Sequence, residues 1–436
     1  MVLKSLFAGA LAAASVSALA AAPAWLESAV EAEYDQMVQT RQALHAKPEL
    51  GNQEYETQAY IIDYLKKAGV DKVIKGYKSS PTAVIGIINP EKSDTIGLRS
   101  DIDGLPIKEN TGLPFASQHK GKMWGKDTFT AHMCGHDAHM TMLLTAAKIL
   151  AAHKDDIPRR IVLVFQPAEE GNSLENPMTV PNPKNSGAKA LVADGLLKEY
   201  DIKHMFGMHV DGTGVPGRLE LISGAAMNSG DSFEIHLTGK QAHGGMPWMS
   251  VDAALMTAET VTALQQIVSR NVNLSQGMGI VTVGKMTAGD TVNVITNKGY
   301  ILGTVRTNNA DIQSLILKRI PEVADGIAKA YGGKAETRII SAYPVTYNDP
   351  KLTARVFDHM QDFGVPIAMS TRNPGASEDF ANYGLEVPSV FFLLGVGTEG
   401  AKPTFPHSDK FMINDKALKT GVKAHIGAAL GNYQNL

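Results

Sequence analysis

The stretch Thr95-Ile96-Gly97-Leu98-Arg99-Ser100-Asp101-Ile102-Asp103 is a short apolar run that ends in charge. The pattern recurs twice. Arg160 to Phe165 runs into Gln166-Pro167-Ala168-Glu169-Glu170-Gly171, and His204 to Val210 carries His209 near its end. Apolar runs of this length read as strands buried on both faces. Helical apolar spacing surrounds them, over Trp25 to Lys47, Gln58 to Ala68 and Ala138 to His153. Strands alternating with helices predict an α/β fold, and ionisable residues gathered where strands finish mark the edge at which such sheets bind ligands.

Beyond Gly217 the pattern changes. Arg218 to Ser223, Ser232 to Thr238, Gly279 to Val283 and Tyr300 to Arg306 read as strands, with a helix over Val251 to Arg270. Patterns like those of the first part resume near Ile312, and Ser389 to Leu394 is another buried strand. A chain of 436 residues exceeds what one hydrophobic core usually organises. The expected organisation is therefore a larger domain over residues 23–216 plus 312–436, interrupted by a smaller α+β domain over 217–311.

Composition narrows the function. With Lys+Arg 41 against Asp+Glu 44 and a formal charge of -3, the chain offers no basic face obvious from sequence and nothing recommends nucleic acid as a partner, so a small or peptide-like ligand is expected. Residues 1–22 hold Lys4 and then an uncharged, alanine-rich run containing Ala18-Leu19-Ala20, which reads as a secretory signal. A secreted or periplasmic protein is expected, soluble and free of the membrane after cleavage. The alternative of an uncleaved anchor fits less well, because the run is short and weakly hydrophobic for a bilayer span.

Export makes the only cysteine informative. Cys134 lies in Ala131-His132-Met133-Cys134-Gly135-His136-Asp137-Ala138-His139, and a free thiol in an oxidising compartment is a liability unless a metal occupies it. One residue separates Cys134 from His136, so both can turn toward one ion, and thiolate plus imidazole suit zinc, cobalt, nickel or, less well, manganese. His132, Asp137 and His139 compete for the same role or support it. The neighbouring carboxylates Glu169 and Glu170 add a second signal. Buried together they would need a cation or a shared proton, and one could hold metal while the other takes a proton from the attacking water.

Six strings, in this order, resemble the M20 metallopeptidase family, in its branch of aminoacylases, hippurate hydrolases and auxin-conjugate hydrolases. They are Leu98 to Pro106, His132 to Asp137, Gln166 to Gly171, Gly207 to Val210, Ala242-His243-Gly244 and Ser377-Glu378-Asp379-Phe380. The resemblance implies a metallo-exopeptidase-like catalytic domain with a mixed sheet and two divalent metal ions, held by Cys134, His136, Glu170, His209 and His407. It implies Glu169 as the general base and Asp103, or less readily Asp101, as support for a ligand. His243 would help stabilise the oxyanion, in some members from across a homodimer formed through the inserted domain. Asn293 and Arg306 would bind substrate, and a guanidinium suits a free α-carboxylate because it reaches both oxygens.

The expected activity is metal-dependent hydrolysis of the amide bond in N-acyl amino acids, with a dipeptidase or carboxypeptidase as the nearer alternative. A non-catalytic exported metal- or peptide-binding protein is more distant, since Glu169 is present. Gly212 to Gly217 satisfies G-x-G-x-x-G but leads into strand-like alternation, and Gly279 to Lys285 has Walker spacing inside a strand. Both read as chance. The Pro- and Asn-rich loop Asn172 to Ser186, longer than usual for the family, reads as surface padding slightly more readily than as a lid, and it is where the acyl pocket would be reshaped.

Overall fold

The computed structural model describes residues 22–180, 184–400 and 402–433. The expected leader lies outside them apart from Ala22. Among the described residues no helix is long and apolar enough to cross a membrane.

Twelve strands build the two principal sheets. In chain order they are β1 (Lys72–Tyr77), β2 (Ser80–Ile88), β3 (Thr95–Asp101), β4 (Arg160–Gln166), β5 (His204–Asp211), β6 (Leu219–Leu221), β7 (Gly230–Thr238), β8 (Gly279–Ala288), β9 (Lys298–Thr307), β10 (Lys334–Tyr343), β11 (Ile367–Met369) and β12 (Ser389–Gly395). The larger sheet has eight strands in the order β1-β2-β4-β3-β5-β12-β6-β11. β3 pairs in parallel with β4 on one side and β5 on the other, and β5 pairs in parallel with β12. Antiparallel pairs β1·β2, β2·β4 and β12·β6 make the sheet mixed.

Chain order reverses at β3. The carboxyl ends of β4, β3 and β5 thus lie side by side, at the kind of switch point where a crevice opens in an α/β sheet. Each of the seven residues of β3 and of β12 is buried, as expected for central strands covered on both faces. The covering layer includes α1 (Tyr34–His45), α2 (Tyr55–Lys67), α3 (His136–Ala152) and, near the end of the chain, the helix Leu418–Leu430. α3 starts inside the histidine run and is buried almost all round.

The smaller unit is a four-stranded antiparallel sheet, β8-β9-β7-β10, backed by the helices Ala253–Gln266 and Ala310–Ala330. It has its own apolar core, in which Phe233 and Ile301 meet Ile312, Ile316 and Ile320. These contacts correct both expected boundaries. β6, at Leu219–Leu221, belongs to the larger sheet, while the helix from Ala310 and β10 belong to the smaller one. The insertion runs from Gly230 to Tyr343 instead of 217 to 311. Ile312, Ile316, Ile320 and Val323 form an apolar stripe whose spacing is the same whichever core it faces, so periodicity alone could not assign it.

One buried network ties the helices together. Arg41 on α1 donates to Asp137 on α3 at 3.0 Å and to Asp415, while His45 lies 2.8 Å from Asp137 and 3.1 Å from Glu109. Burial alone would lower the His45 pKa, but the carboxylates of Asp137 and Glu109 outweigh it and push it up to about 9. A raised folded pKa stabilises fully below the unfolded value near 6.5 and stops doing so above the folded one. The melting temperature should therefore fall as pH rises from about 6.5 to about 9, and this part of the profile should flatten in His45→Gln. Thermal melts of both proteins across that window provide the check.

Candidate metal centre and active site

Cys134 sits in the turn that opens α3. Gly135 precedes the helix with φ +95°, and a Cβ there would lie 2.3 Å from Val210 Cγ2, so glycine lets the turn press against β5. His136 is the first residue of α3, and its Nδ1–H donates to the Asp103 carbonyl at 2.8 Å. His209, at the carboxyl end of β5, donates from Nδ1 to the Val210 carbonyl at 2.7 Å. These bonds occupy Nδ1 of each ring and leave Nε2 as the nitrogen available to a metal, the usual arrangement of metal-binding histidines. Nε2 of His136 is buried with no hydrogen-bond partner, and Nε2 of His209 lies 3.2 Å from Cys134 Sγ.

The remaining donors arrive from farther along the chain. Asp103 accepts the backbone N–H groups of Glu169 and Glu170 at 3.1 and 2.9 Å, holding the turn after β4. His407, in a left-handed turn with φ +66°, donates its backbone N–H to the Met133 carbonyl at 2.7 Å and places Nε2 3.0 Å from Glu170. Two overlapping triads result, Cys134-His136-His209 and Cys134-Glu170-His407, with ligand atoms in each within 4.8 Å of one another. Cys134 belongs to both. An unpartnered buried imidazole nitrogen inside a thiol, imidazole and carboxylate set fits a divalent metal.

The electrostatics agree. Burial, with the Glu170 and Glu169 carboxylates beside it, pushes the Cys134 thiol well up, so the thiolate needs a cation to form. Burial would raise Glu170 too, but the hydrogen bond and charge of His407 hold it below its ordinary value. Glu169 is raised well above its ordinary value by burial and by Glu378, Glu170 and Asp379, against Arg99. Two of the three competing residues of the histidine run, His139 and Asp137, are otherwise engaged. His139 lies 2.7 Å from Asp101 and accepts the Val210 N–H, and Asp137 serves Arg41 and His45. His132 is buried with neither ring nitrogen bonded, and burial pushes it down to about 3.

A cleft of about 620 Å³ opens from this cluster between the two units. Cys134, Glu169, Glu170, His209 and His407 form its floor, and Arg306 and Tyr343 of the smaller unit also line it. His243 and Asn293 do not. His243 pairs with Val294 in a short exposed ribbon, and Gly244 N–H donates to the Asn293 carbonyl at 2.8 Å. That ribbon precedes β9 while Arg306 stands near its other end, and a strand rises about 3.3 Å per residue. One chain therefore brings Arg306, but neither His243 nor Asn293, to its own cleft.

Sequence reasoning did not assign the buried support. Arg99 donates to Asp101 at 2.8 Å, Glu378 at 2.8 Å, Asp379 at 2.9 Å and Gln166 at 2.9 Å. A strand arginine followed by two aspartates was the available signal. Arg372, which pairs with Asp211 at the cleft wall, and Tyr343, whose hydroxyl donates to the Glu169 carbonyl at 2.8 Å, carried none.

A mixed α/β sheet whose strand ends assemble thiol, imidazole and paired glutamates in a cleft defines a metal-dependent hydrolase. The chain belongs to peptidase family M20/M25/M40, whose model matches residues 97–430. It is 35% identical over 386 residues to an N-acetyl-L-cysteine deacetylase of Bacillus subtilis, covering 88% of this chain and 85% of that protein. It is 31% identical to thermostable carboxypeptidase 1 of Saccharolobus solfataricus, covering 90% and 94%. A solved Bacillus subtilis structure described as a dinuclear metal binding peptidase from the M20 family superposes with a TM-score of 0.74 at 26% identity, over 92% of this chain and 98% of that one. The chain is thus an enzyme of the M20 amidohydrolases, and the match extends over both units.

Cys134→Ser should weaken metal binding before it weakens the fold. Metal retained after challenge with graded chelator should fall, while the cooperative melt of the metal-free protein stays close to that of the wild type. Unchanged metal retention would count against Cys134 as a ligand.

Proposed function

We propose that this enzyme hydrolyses the amide bond of N-acyl amino acids, of the hippurate or N-acetyl type, with two divalent ions held by Cys134, His136, Glu170, His209 and His407. The observation that carries the proposal is the meeting of Glu169, the two donor triads and Arg306 in one cleft. When bound, the ions would polarise the scissile carbonyl and activate the attacking water at neutral pH. Glu169 takes the proton of that water and returns it to the leaving amine, a task suited to a carboxyl whose proton affinity burial has raised. Arg306, whose Nη1 is anchored on the Val305 carbonyl at 2.8 Å, receives the free carboxylate of the substrate. Relatives named N-acetyldiaminopimelate deacetylase, 32% identical over 89% of this chain, support an acylated substrate.

His243 and Asn293 act, in this proposal, on the cleft of a second copy, since their own chain holds them at the far end of the smaller sheet. The carboxypeptidase relative favours a second reading, in which the substrate is a peptide. Export of the mature protein is also part of the proposal, and N-terminal sequencing of material recovered outside the cytoplasm would locate the cleavage near Ala20 or Ala22.

Product detection by mass spectrometry from a panel of N-acyl amino acids and peptides, with zinc, manganese, cobalt or nickel added back, separates the readings. Turnover of acylated substrates is expected, with Glu169→Ala lowering kcat by about 10²–10⁴-fold. No wild-type turnover, or turnover indifferent to Glu169, would sink the proposal. Complementation tests the second copy. Glu169→Ala and His243→Ala proteins, each inactive alone, should regain about a quarter of wild-type activity when mixed and reassociated, because half the dimers are mixed and each has one intact site. A mixture that stays inactive would place His243 outside the partner's cleft.

A further inference from the structure

Glu54 is fully buried at the start of α2, far in sequence from every residue assigned above. One carboxylate oxygen accepts the Thr82 hydroxyl at 2.7 Å and the other accepts the Ala168 N–H at 2.8 Å. The next two amides, of Glu169 and Glu170, end on Asp103. Three consecutive N–H groups therefore converge on two buried carboxylates. Such a run of amides ordinarily forms an anion-binding nest, and here the oxygens that fill it belong to the protein's own carboxyl groups, with burial and the neighbouring Asp103 pushing Glu54 up to about 8. The turn needs the restraint, because Ala168 is held at φ +54°, in the left-handed region that non-glycine residues seldom adopt.

The segment before Glu54 backs the same turn. A Cβ at Gly51 would lie 2.2 Å from the Gly171 carbonyl oxygen and 2.9 Å from Ala168 Cα, so the two backbones touch. Ser173 N–H donates to the Gly51 carbonyl at 3.2 Å, and the Glu49 carbonyl accepts the Gly104 N–H at 2.7 Å. Residues 49–54 thus lie between the end of β3 and the glutamate turn, bonded to both.

We propose that Glu54 is a positioning residue for Glu169. It fixes the left-handed Ala168 from which Glu169 is aimed into the cleft, while Asp103 fixes Glu169 and Glu170 themselves. The inference rests on Glu169 acting as the base, and it concerns where that base stands instead of whether metal or substrate binds. A lost Ala168 bond lets the start of the turn relax, which lowers kcat while leaving Cys134, His136, His209 and His407 in place and Glu170 held through its N–H on Asp103.

Three variants of the full-length protein carry the test. Glu54→Gln can keep both bonds, with its amide oxygen toward Ala168 and its amide nitrogen toward Thr82. Glu54→Asp is one methylene too short to reach, and Glu54→Ala removes both bonds. With metal added, Glu54→Asp should lose about ten- to a hundredfold in kcat with KM and bound metal little changed, and Glu54→Gln should stay within about threefold of wild type. Hydrogen exchange on the metal-free proteins gives a readout without activity. The peptide containing Ala168 should exchange faster in Glu54→Asp and Glu54→Ala but not in Glu54→Gln. Wild-type kcat in Glu54→Asp, or KM and metal content failing in step with kcat, would overturn the proposal. If the wild type turns over none of the substrates, the amide-hydrolysis reading fails, and the exchange pattern alone decides the clamp: unchanged exchange in Glu54→Asp overturns it.

Discussion

Six carboxyl groups, of Glu54, Asp101, Asp103, Glu169, Glu378 and Asp379, lie buried at one edge of the larger sheet, and the cost of burying them together, which raises the proton affinity of Glu54, Glu169, Glu378 and Asp379, is the constraint on which the rest of the molecule depends. Removing even one such charge from water is costly unless a partner and hydrogen bonds compensate. Arg99 supplies the fixed positive charge, reaching three of the six. Backbone amides serve Asp103 and Glu54, and His139 serves Asp101. What is left uncompensated faces Cys134, His136 and the cleft, where a divalent cation fits. Structural support and the metal centre are thus two solutions to one electrostatic problem, placed on neighbouring strand ends.

The sheet edge was legible because parallel strands announce themselves. β3, β4 and β5 appeared in the sequence as apolar runs ending in charge, and the structure prolongs each by a few residues at most. Cys134 and His136 were legible from chemistry alone, since a lone thiol beside imidazoles has few other uses. Glu170, His209 and His407 could be attached to them only through resemblance, because separation along the chain carries no record of proximity. Arg99 and Glu54 were harder still. The two aspartates after Arg99 hint at a charged neighbourhood but do not tell which way the guanidinium faces, and nothing in a sequence tells a buried glutamate at a helix start from an ordinary cap.

The smaller unit has a double relation to the cleft. Its strands β7, β9 and β10 bring Gly230, Arg306 and Tyr343 to the wall above the metal donors. Arg338 on β10 also donates to the carbonyls of Met178 at 3.0 Å and of Pro177 at 2.5 Å, fastening the loop that follows Glu170. The loop is therefore part of the junction between the units and not simple surface padding. The shifted boundaries follow from the same contacts, since β10 and the helix before it are needed to close the apolar core around Phe233 and Ile301. An inserted unit that touches the segment from Glu169 to Met178 through both Tyr343 and Arg338 is mechanically continuous with it.

The order of the donors along the chain has a consequence for biosynthesis. β12, the last strand to be made, fills the sheet between β5 and β6, and His407 follows it. The larger sheet cannot close, and the second triad cannot assemble, until nearly all of the polypeptide has left the ribosome. Folding that waits for contacts so distant in sequence is slow, and during that wait the chain has no complete site with which to capture metal. The donor set is in this way a product of the finished fold: Cys134, His136 and His209 wait for His407, and the site is completed by the last part of the larger sheet to arrive.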